Sequence, residues 1–593
     1  MEKEQFLEVY RHSLSHILAK AVIEIFGKEN VQYAIGPQID DGMYYDFVLP
    51  RPVNKDDFKT IENKMREILK RKEDWTRKEV SRAEALELFK DQKFKTELIQ
   101  DLPEDELITI YETGDDFTDL CRGPHVDNSQ ELLNVAFQIK TVSGAYWRGD
   151  ENRDMLQRIY VYAFPSKQEL KEHLKLLKEA MERDHKKLGP QLDLFMFDAT
   201  APGMPYWLPR GWKMFNALLE FWREVHERHG YQEIAAPQIQ KKELWVTSGH
   251  WAHYRDGMFV IPGEDEDGSD TYCVKPMNCP NAIMVYKKDL HSYKDLPLRF
   301  SEVDVIHRKE KSGELNGLFR VQMFRQDDDH TFLMEEQIED EISDIMDITG
   351  ELYETFGLTY KAELSTRPDD FMGDPALWDK AEEALKNILI KKYGEENFEI
   401  NEGDGAFYGP KIDLSMKDCL GREWQMGTIQ LDFQLPLNFD LKYIDKDSEH
   451  KQPVMIHRAI FGSFERFIGI LIENFKGAFP FWMSPYQVGI VPIRTEHNEY
   501  AKEIEDMLRK NHIRVEADYT DKNMKEKIKA FKTMKDPYII VLGDREAEER
   551  TVSINLRGSN KQLQNVPLET FIQMCNKMNT ERSIDLIDSI EEQ

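Results

Sequence analysis

Charged and amide side chains crowd one stretch of the chain, RFSEVDVIHRKEKSGELNGLFRVQMFRQDDDHTFL, residues 299–333. Its pattern predicts a strand, a polar loop holding Ser312-Gly313-Glu314-Leu315-Asn316-Gly317, and a returning strand. Arg308 and Glu310 stand two apart and so share a face. Arg320, then Gln326, Asp328 and His330, alternate onto one face of the return. Such a hairpin makes poor core. It makes a good seat for a triphosphate, because guanidinium forks hold phosphate oxygens in pairs. The competing reading is a solvated face laced with surface ion pairs.

A second group lies towards the N-terminus: His12 and His16, one helical turn apart, and Cys121 and His125 in TDLCRGPH. An HxxxH with a CxxxH is a zinc-like spacing. Ordinary core or surface histidines would give the same letters. On the residues alone, metal ligation and metal-free hydrolysis both stand.

The elements that must carry these residues follow in order. Phe6 to Phe26 reads as an amphipathic helix with His12 and His16 on one face. A β-rich segment turns through Asp41-Gly42, helices cover Lys55 to Lys72 and Arg82 to Phe89, and FQIKTVSGAYWRGD reads as strand. Lys167 to Lys187 is a charged amphipathic helix ending near Gly189-Pro190, a natural connector. Beyond Leu192 come aromatic-rich helices and long apolar strands: the helix Trp212 to Gly230, closed by glycine, then YQEIAAPQI, with Pro237 at a sheet edge or strand end. Past the polar hairpin, Glu335 to Phe356 reads as helix. The strands within Asn401 to Asp432 belong to one sheet, joined by a turn at Asp418 to Gly421, and IHRAIFGSFERFIGILIENF reads as helix carrying Arg466. From Tyr486 onward strands and helices alternate, which implies an open α/β sheet. The acidic tail after Arg582 reads as disordered.

Composition bounds the function. The 593 residues suffice for several domains, and 40% hydrophobic with 32% charged is a globular balance. No apolar run is long enough for a membrane span, and MEKEQFLEVYRH has no export pattern. Five scattered cysteines, an odd number, argue for a reducing compartment, so the expected location is the cytoplasm. A formal charge of −31 argues against nonspecific nucleic-acid binding, hence no DNA partner. A specific RNA partner needs only a local basic surface, for which Lys59 to Arg82, Lys167 to Lys187 and Lys522 to Lys535 are candidates.

The polar hairpin, HRKEKSGELNGLFR followed by QDDDH, resembles motif 2 of the class II aminoacyl-tRNA synthetases, and in detail the threonyl-tRNA synthetase family. The helix and Pro-ended strand around Pro237 resemble motif 1, and the GSFER segment resembles motif 3. The likeness runs from about Leu7 to the C-terminal domain, of a bacterial type without the preceding ubiquitin-like domain of many relatives. It implies an α+β multidomain protein. Residues 1–166 would be an α+β editing domain, 167–190 a linker helix, 191–485 an antiparallel-sheet class II catalytic core, and 486–593 an α/β anticodon-binding domain with its tail.

The resemblance also implies chemistry. Activation of an amino acid by ATP, then transfer to tRNA, is mainly positioning and charge stabilisation, so arginines rather than a nucleophile are expected. Arg308 would hold the α-phosphate and carboxylate, Arg320 and Arg466 the β/γ-phosphates, and Glu310 the adenine. Gln425 and Gln430 would line the nucleotide side, with Mg²⁺ accompanying ATP. Cys279, His330 and His457, in KPMNCP, QDDDH and PVMIHRAI, fall where the family keeps a zinc ion. With three protein ligands zinc keeps an open position, which threonine would fill with its amino and hydroxyl groups and valine could not. Gln326, Asp328, Tyr408 and Lys411 would complete the amino-acid site. Serine differs from threonine by one methyl, worth about 1–3 kcal/mol, so a hydrolytic second site becomes necessary. His12, His16, Cys121 and His125 would position mischarged seryl-tRNA and water there, without a metal. His250 in SGHW is a candidate proton acceptor near the tRNA terminal ribose, and Glu546 a candidate anticodon contact. Threonine, ATP and threonine tRNA are the implied partners, and a homodimer the implied assembly.

Departures from the family pattern are local. Gln322, Met323, Arg325 and Asp329 replace the commoner residues after Arg320 and would alter the rim of the active site. Asn281-Ala282 stands for the usual Gly-His, and Asn555 for an arginine of the anticodon domain. Two other classes of function compete. A regulatory RNA-binding descendant would need neither Arg308, Arg466 nor the three ligand positions, and a free deacylase would not need residues 192–485.

Overall fold

A computed structural model of the chain describes residues 3–263, 270–418 and 421–589. It divides into two compact units, Met1–Glu179 and Ala180–Gln593. No helix among the described residues is long and apolar enough to cross a membrane.

In the first unit the opening helix runs Lys3–Phe26. It is not amphipathic as expected: residues 13–22 are buried without a break, and Ser13, Ser15, His16 and Lys20 go inward beside Leu14, Ile17 and Leu18. The two serines and Lys20 find partners, while His16 Nδ1 is buried with none. Ser13 Oγ donates to Val9 O, Ser15 Oγ to His12 O, and Lys20 Nζ to Glu73 at 2.7 Å. The helix lies against the Gly42–Val48 strand and the Lys55–Lys70 helix. The latter starts at a capping box between Asn54 and Asp57. Gly42–Val48 and Met155–Phe164 form the centre of a five-stranded sheet, with Ala136–Tyr146 at one edge. A separate three-stranded sheet, Trp75–Val80, Ile108–Thr113 and Phe117–Leu120, delivers the segment that ends in Cys121 and His125.

The expected single helix over Lys167 to Lys187 is two, Lys167–Arg183 and His185–Gln191. Asp184 leaves helical geometry, and its carboxylate accepts the Lys186 N–H at 2.8 Å, a new N-cap. Pro190 therefore falls inside the second helix.

The second unit is built on an eight-stranded sheet. Its order is Gln232–Glu233, Leu298–Glu302, Asp328–Leu333, Val454–Ala459, Glu423–Asp432, Lys411–Lys417, Tyr360–Ser365 and Glu399–Asn401. All neighbours are antiparallel except the outermost pair at each edge. The antiparallel core implied by the resemblance is present. One side carries the Pro209–Arg228 helix, with Met214, Phe215, Leu218, Phe221, Trp222 and Val225 inward at helical spacing.

Three local expectations change. The polar hairpin is divided: Leu298–Glu302 and Asp328–Leu333 pair in the large sheet, while Val305–His307 and Met323–Arg325 form a ribbon of their own. Arg308, Glu310, Arg320 and Gln326 thus lie just beyond strand ends rather than on one strand face. Apolar alternation stops at Ile306, so no buried face extends the pairing further. The PVMIHRAI segment is not the start of a helix but the central strand Val454–Ala459, whose burial on both faces leaves no apolar/polar alternation to mark it as strand. The helix begins at Phe464, where Ser463 Oγ accepts the Arg466 N–H. The expected strand around Pro237 is only Gln232–Glu233, at the sheet edge, and Pro237 lies outside it. Cys419 and Leu420, in the expected turn, lie outside the described residues.

The C-terminal part alternates as expected, around the sheet order Val515–Ala517, Val488–Pro492, Tyr538–Leu542, Thr551–Leu556 and Gln562–Pro567. The tail differs from expectation as far as residue 589. Leu586 and Ile587 pack on this core, and Ile587 O accepts the Tyr538 hydroxyl at 2.8 Å.

Candidate active site

The large sheet carries two cavities that share a wall. The first, of about 320 Å³, is lined by Cys279, His330 and His457 together with Gln326, Asp328, Tyr408, Lys411 and Gln430. The second, of about 420 Å³, is lined by Glu310, Arg320 and Arg466. Arg308, Gln326 and Gln425 border both. Residues as distant in sequence as Tyr254 and Ala459 meet at the first cavity, because the sheet sets strands from far along the chain side by side.

His330 and His457 are paired across adjacent strands, and Cys279 opens the Cys279–Tyr286 helix beside them. All three are buried, and their ligand atoms lie within 4.8 Å of one another. His330 Nδ1 is buried with no hydrogen-bond partner. His457 Nε2 meets the buried carboxylate of Asp432 at 2.9 Å, the outer-sphere arrangement that orients a metal-binding imidazole and leaves Nδ1 as the ligand atom. Burial, then Asp328 and Asp432, raise the Cys279 thiol far above its ordinary range, so a thiolate there calls for a cation. The donor set fits zinc.

Around this cluster the polar groups are held before any ligand arrives. Burial pushes Asp328 up to about 6, against the pull of His457. The Tyr408 hydroxyl donates to Gln430 at 2.6 Å. Arg308 Nε donates to Pro276 O, and its guanidinium lies over Phe324. Arg466 Nε donates to Phe319 O at 3.0 Å, while burial, then Arg320 and Arg308, lower its pKa. Three arginines at one cavity repel one another and favour an anion between them. Arg320 is tied to Glu310 and Glu314, both at 3.0 Å, so neither it nor Glu310 is free until those pairs open.

In the N-terminal unit His12, His16, Cys121 and His125 also converge, their ligand atoms within 4.8 Å. Cys121 Sγ lies 3.3 Å from His12 Nε2 and 3.2 Å from His125 Nε2. Burial lowers the pKa of all three imidazoles, leaving them neutral. It raises the Cys121 thiol to about 11. Asp119 lies behind them, 3.5 Å from His16, bonded to the Tyr45 hydroxyl at 2.5 Å and paired with buried Lys95.

Family models match three stretches of the chain. The tRNA synthetase class II core domain (G, H, P, S and T) matches residues 261–475, the anticodon binding domain 487–578, and the threonyl and alanyl tRNA synthetase second additional domain 108–160. The threonine–tRNA ligase of Thermotoga neapolitana is 48% identical over 99% of this chain and 90% of that protein. The chain belongs to the threonine–tRNA ligase family. The family's member from Clostridioides difficile is 47% identical over 97% of this chain and 89% of its own. Among solved structures, the RNA binding domain of threonyl-tRNA synthetase from Cryptosporidium parvum matches at 39% identity and TM-score 0.65, over 68% of this chain and 100% of that one. A prolyl-tRNA synthetase from Giardia lamblia shares the fold alone, at 17% identity and TM-score 0.52, over 66% of this chain and 75% of its own.

Two expected residues sit apart from the cavities of this family member. His250 is fully buried behind the cluster, with Nδ1 2.8 Å from Ser248 Oγ and Nε2 2.9 Å from Met277 Sδ, and burial pushes it down to about 3. Glu546 accepts hydrogen bonds from Gly543 N–H and Ser553 Oγ, capping its own helix Asp544–Glu549.

The departures from the family pattern do not reach the rim as expected; none lines either cavity. Gln322 Nε2 donates to Pro202 O, and Arg325 lies over Trp212 and Phe215. Asp329 is buried on the opposite face of its strand from His330, paired with Arg458 at 2.8 Å.

One residue that sequence reasoning missed is Asp413. Its buried carboxylate accepts from Lys411 Nζ at 2.6 Å, Gln425 Nε2 at 2.6 Å, Thr428 Oγ1 at 2.9 Å and Ser365 Oγ at 2.7 Å. It thereby fixes three side chains of the first cavity at once, Lys411, Gln425 and Thr428. The available signal was its place two residues after Lys411, on the same strand face.

Proposed function

We propose that the chain is a threonine–tRNA ligase that activates threonine with ATP, transfers it to threonine tRNA, and hydrolyses mischarged seryl-tRNA at a second site. The observation that carries this reading is the shared wall of the two cavities, with a Cys/His cluster on one side and arginines on the other. Cys279, His330 and His457 would hold a zinc ion, which when bound would supply Lewis-acid recognition of the amino and hydroxyl groups of threonine and so discriminate against valine.

The remaining work belongs to the chain's own side chains. Asp328 accepts from the substrate amino group, Gln326, Tyr408 and Lys411 frame the amino acid, and Gln430 is fixed by Tyr408. Arg308, on the common wall, holds the threonine carboxylate against the α-phosphate, which converts a bimolecular encounter into a positioned one. Arg466 and Arg320 take the outer phosphates, Arg320 exchanging its two carboxylate partners for phosphate oxygens. Glu310, released in the same exchange, turns to adenine, Gln425 flanks the nucleotide, and Mg²⁺ arrives with ATP. Buried behind the cluster, His250 reaches the tRNA ribose only after a rearrangement.

In the N-terminal domain His12, His16, Cys121 and His125 position seryl-tRNA and water, the neutral imidazoles being able to accept a proton. The division is editing 1–166, linker 167–190, catalytic 191–485 and anticodon-binding 486–593, with Glu546 as an anticodon contact. The protein works as a homodimer in the cytoplasm, a reading supported by the motif 1 likeness and the cysteine usage. Threonine-dependent exchange of pyrophosphate into ATP, measured together with metal content, tests the proposal. Exchange with threonine and not valine, at about one zinc per subunit, is the expected result; no exchange by zinc-loaded protein overturns it.

A further inference from the structure

His185 opens the short helix His185–Gln191, in the segment that the sequence marks only as a connector. It is 1% exposed. Its ring Nδ1 lies 2.7 Å from Glu473 Oε1, and its backbone N–H donates to the same oxygen at 3.2 Å. A carboxylate only accepts, so Nδ1 carries the hydrogen and Nε2 is left as an acceptor. Nε2 takes the N–H of Leu318 at 3.0 Å. The ring also lies against Phe319, centroids 4.1 Å apart. Gly317 has φ +53°, and a Cβ there would stand 2.3 Å from Nε2, so the loop closes over the ring only with glycine.

Asp184, His185 and Glu473 approach closely enough to suggest a cation. Both imidazole nitrogens are already engaged, however, and the second Glu473 oxygen pairs with Arg422, so the cluster is a clip rather than a metal site. Glu473 and Arg466 are seven residues, two turns, apart on the Phe464–Asn474 helix and share a face. Arg466 holds Phe319 O, and Glu473 holds Leu318 N–H through His185. One helix thus grips both ends of the Leu318-Phe319 dipeptide, directly before Arg320.

We propose that His185 is a positioning residue for the nucleotide: by relaying Glu473 to Leu318 it fixes the backbone from which Arg320 projects and the carbonyl that orients Arg466. The role rests on the assignment of Arg320 and Arg466 to the ATP phosphates. It predicts an effect on ATP that threonine does not feel, because the cluster at Cys279 touches none of these groups.

The test is pyrophosphate exchange by the full-length, zinc-loaded protein carrying His185→Ala, His185→Gln, His185→Asn or Gly317→Ala. His185→Ala is expected to raise KM for ATP by about tenfold or more, the scale of a small misplacement, with KM for threonine and zinc content unchanged. His185→Gln, whose amide oxygen reaches the Nε2 position, restores most of the loss; His185→Asn, which reaches only Glu473, does not. Gly317→Ala pushes the loop off the ring while leaving the imidazole in place and gives the same ATP-selective defect, which keeps the test open should His185→Ala fold poorly. Equal changes in both KM values, or rescue by Asn and not Gln, overturn the proposal. Arg466→Ala separates the two layers. If it raises KM for ATP while His185→Ala does not, only the role of His185 falls; if it leaves KM for ATP unchanged, the phosphate assignment falls and this role with it.

Discussion

His330 and His457 stand directly opposite each other on neighbouring strands, their rings 5.1 Å apart and nearly perpendicular at 83°. The next register pair, Asp329 and Arg458, faces the other way and forms a buried ion pair at 2.8 Å. Two adjacent strands therefore present a metal-type pair on one face and a structural pair on the other, set by nothing but alternation.

Cys279→Ala removes one of three donors. It is expected to abolish bound zinc, read by elemental analysis, and to lower threonine activation beyond the ~10–100-fold typical of losing an outer-shell partner. Chelation of the unmodified protein gives the same loss, and added zinc reverses it. A metal-free preparation that activates threonine normally dismisses the cluster.

Substitution in the N-terminal cluster separates the two activities. His12→Ala or Cys121→Ala should leave threonyl-tRNA formation unchanged and slow hydrolysis of seryl-tRNA by about 100-fold, the low end of acid–base assistance. Undiminished hydrolysis in both variants exonerates these residues.

Asp413→Ala releases Lys411, Gln425 and Thr428 together and leaves Lys411 with Asp404 alone, at 3.2 Å. We expect kcat/KM in pyrophosphate exchange to fall by about 10–100-fold, as for other orienting carboxylates, with zinc content unaltered. Kinetics like those of the unmodified enzyme would reduce Asp413 to a packing role.

Glu302 ties stability to pH. Burial pushes its carboxyl up from the ordinary 4.5 to about 8, opposed by Lys275, whose Nζ lies 2.8 Å from it and 2.8 Å from Asp304. A folded-state pKa above the unfolded value means that the folded protein holds the proton more tightly. The contribution of this group is therefore full below about 4.5 and lost as pH rises through about 8. Between these limits it adds a slope of at most ~1.4 kcal/mol per pH unit, stability falling upward. Glu302→Gln should flatten that slope in urea unfolding at a series of pH values; an identical slope in the variant refutes the assignment.

Much was legible from local words. Resemblance to the synthetase family, in KPMNCP, QDDDH and PVMIHRAI, pointed to Cys279, His330 and His457, which their spacing alone would not have nominated; the HxxxH and the CxxxH of TDLCRGPH marked the second cluster by residue type and spacing. Alternation gave the open α/β sheet of the C-terminal domain, while the antiparallel core followed from the family resemblance. The errors lay where periodicity is mute. Val454–Ala459, buried on both faces, carries no alternation to tell it from a helix, and residues 13–22 of the opening helix, buried without a break, hide their polar side chains inside. The Asp184 break was equally hidden, since an N-cap differs from a helical aspartate only in backbone geometry.

By itself the sequence determined which side chains are available, the order of the domains, and the family to which the chain belongs. Only the tertiary structure decided who meets whom. Asp413 gathering four donors, Asp432 behind His457, Asp329 turned away onto Arg458, and His185 bridging Glu473 to Leu318 are contacts across 2 to 288 residues of chain. Such pairings arise from strand order and helix docking, which long-range packing fixes and no local pattern encodes.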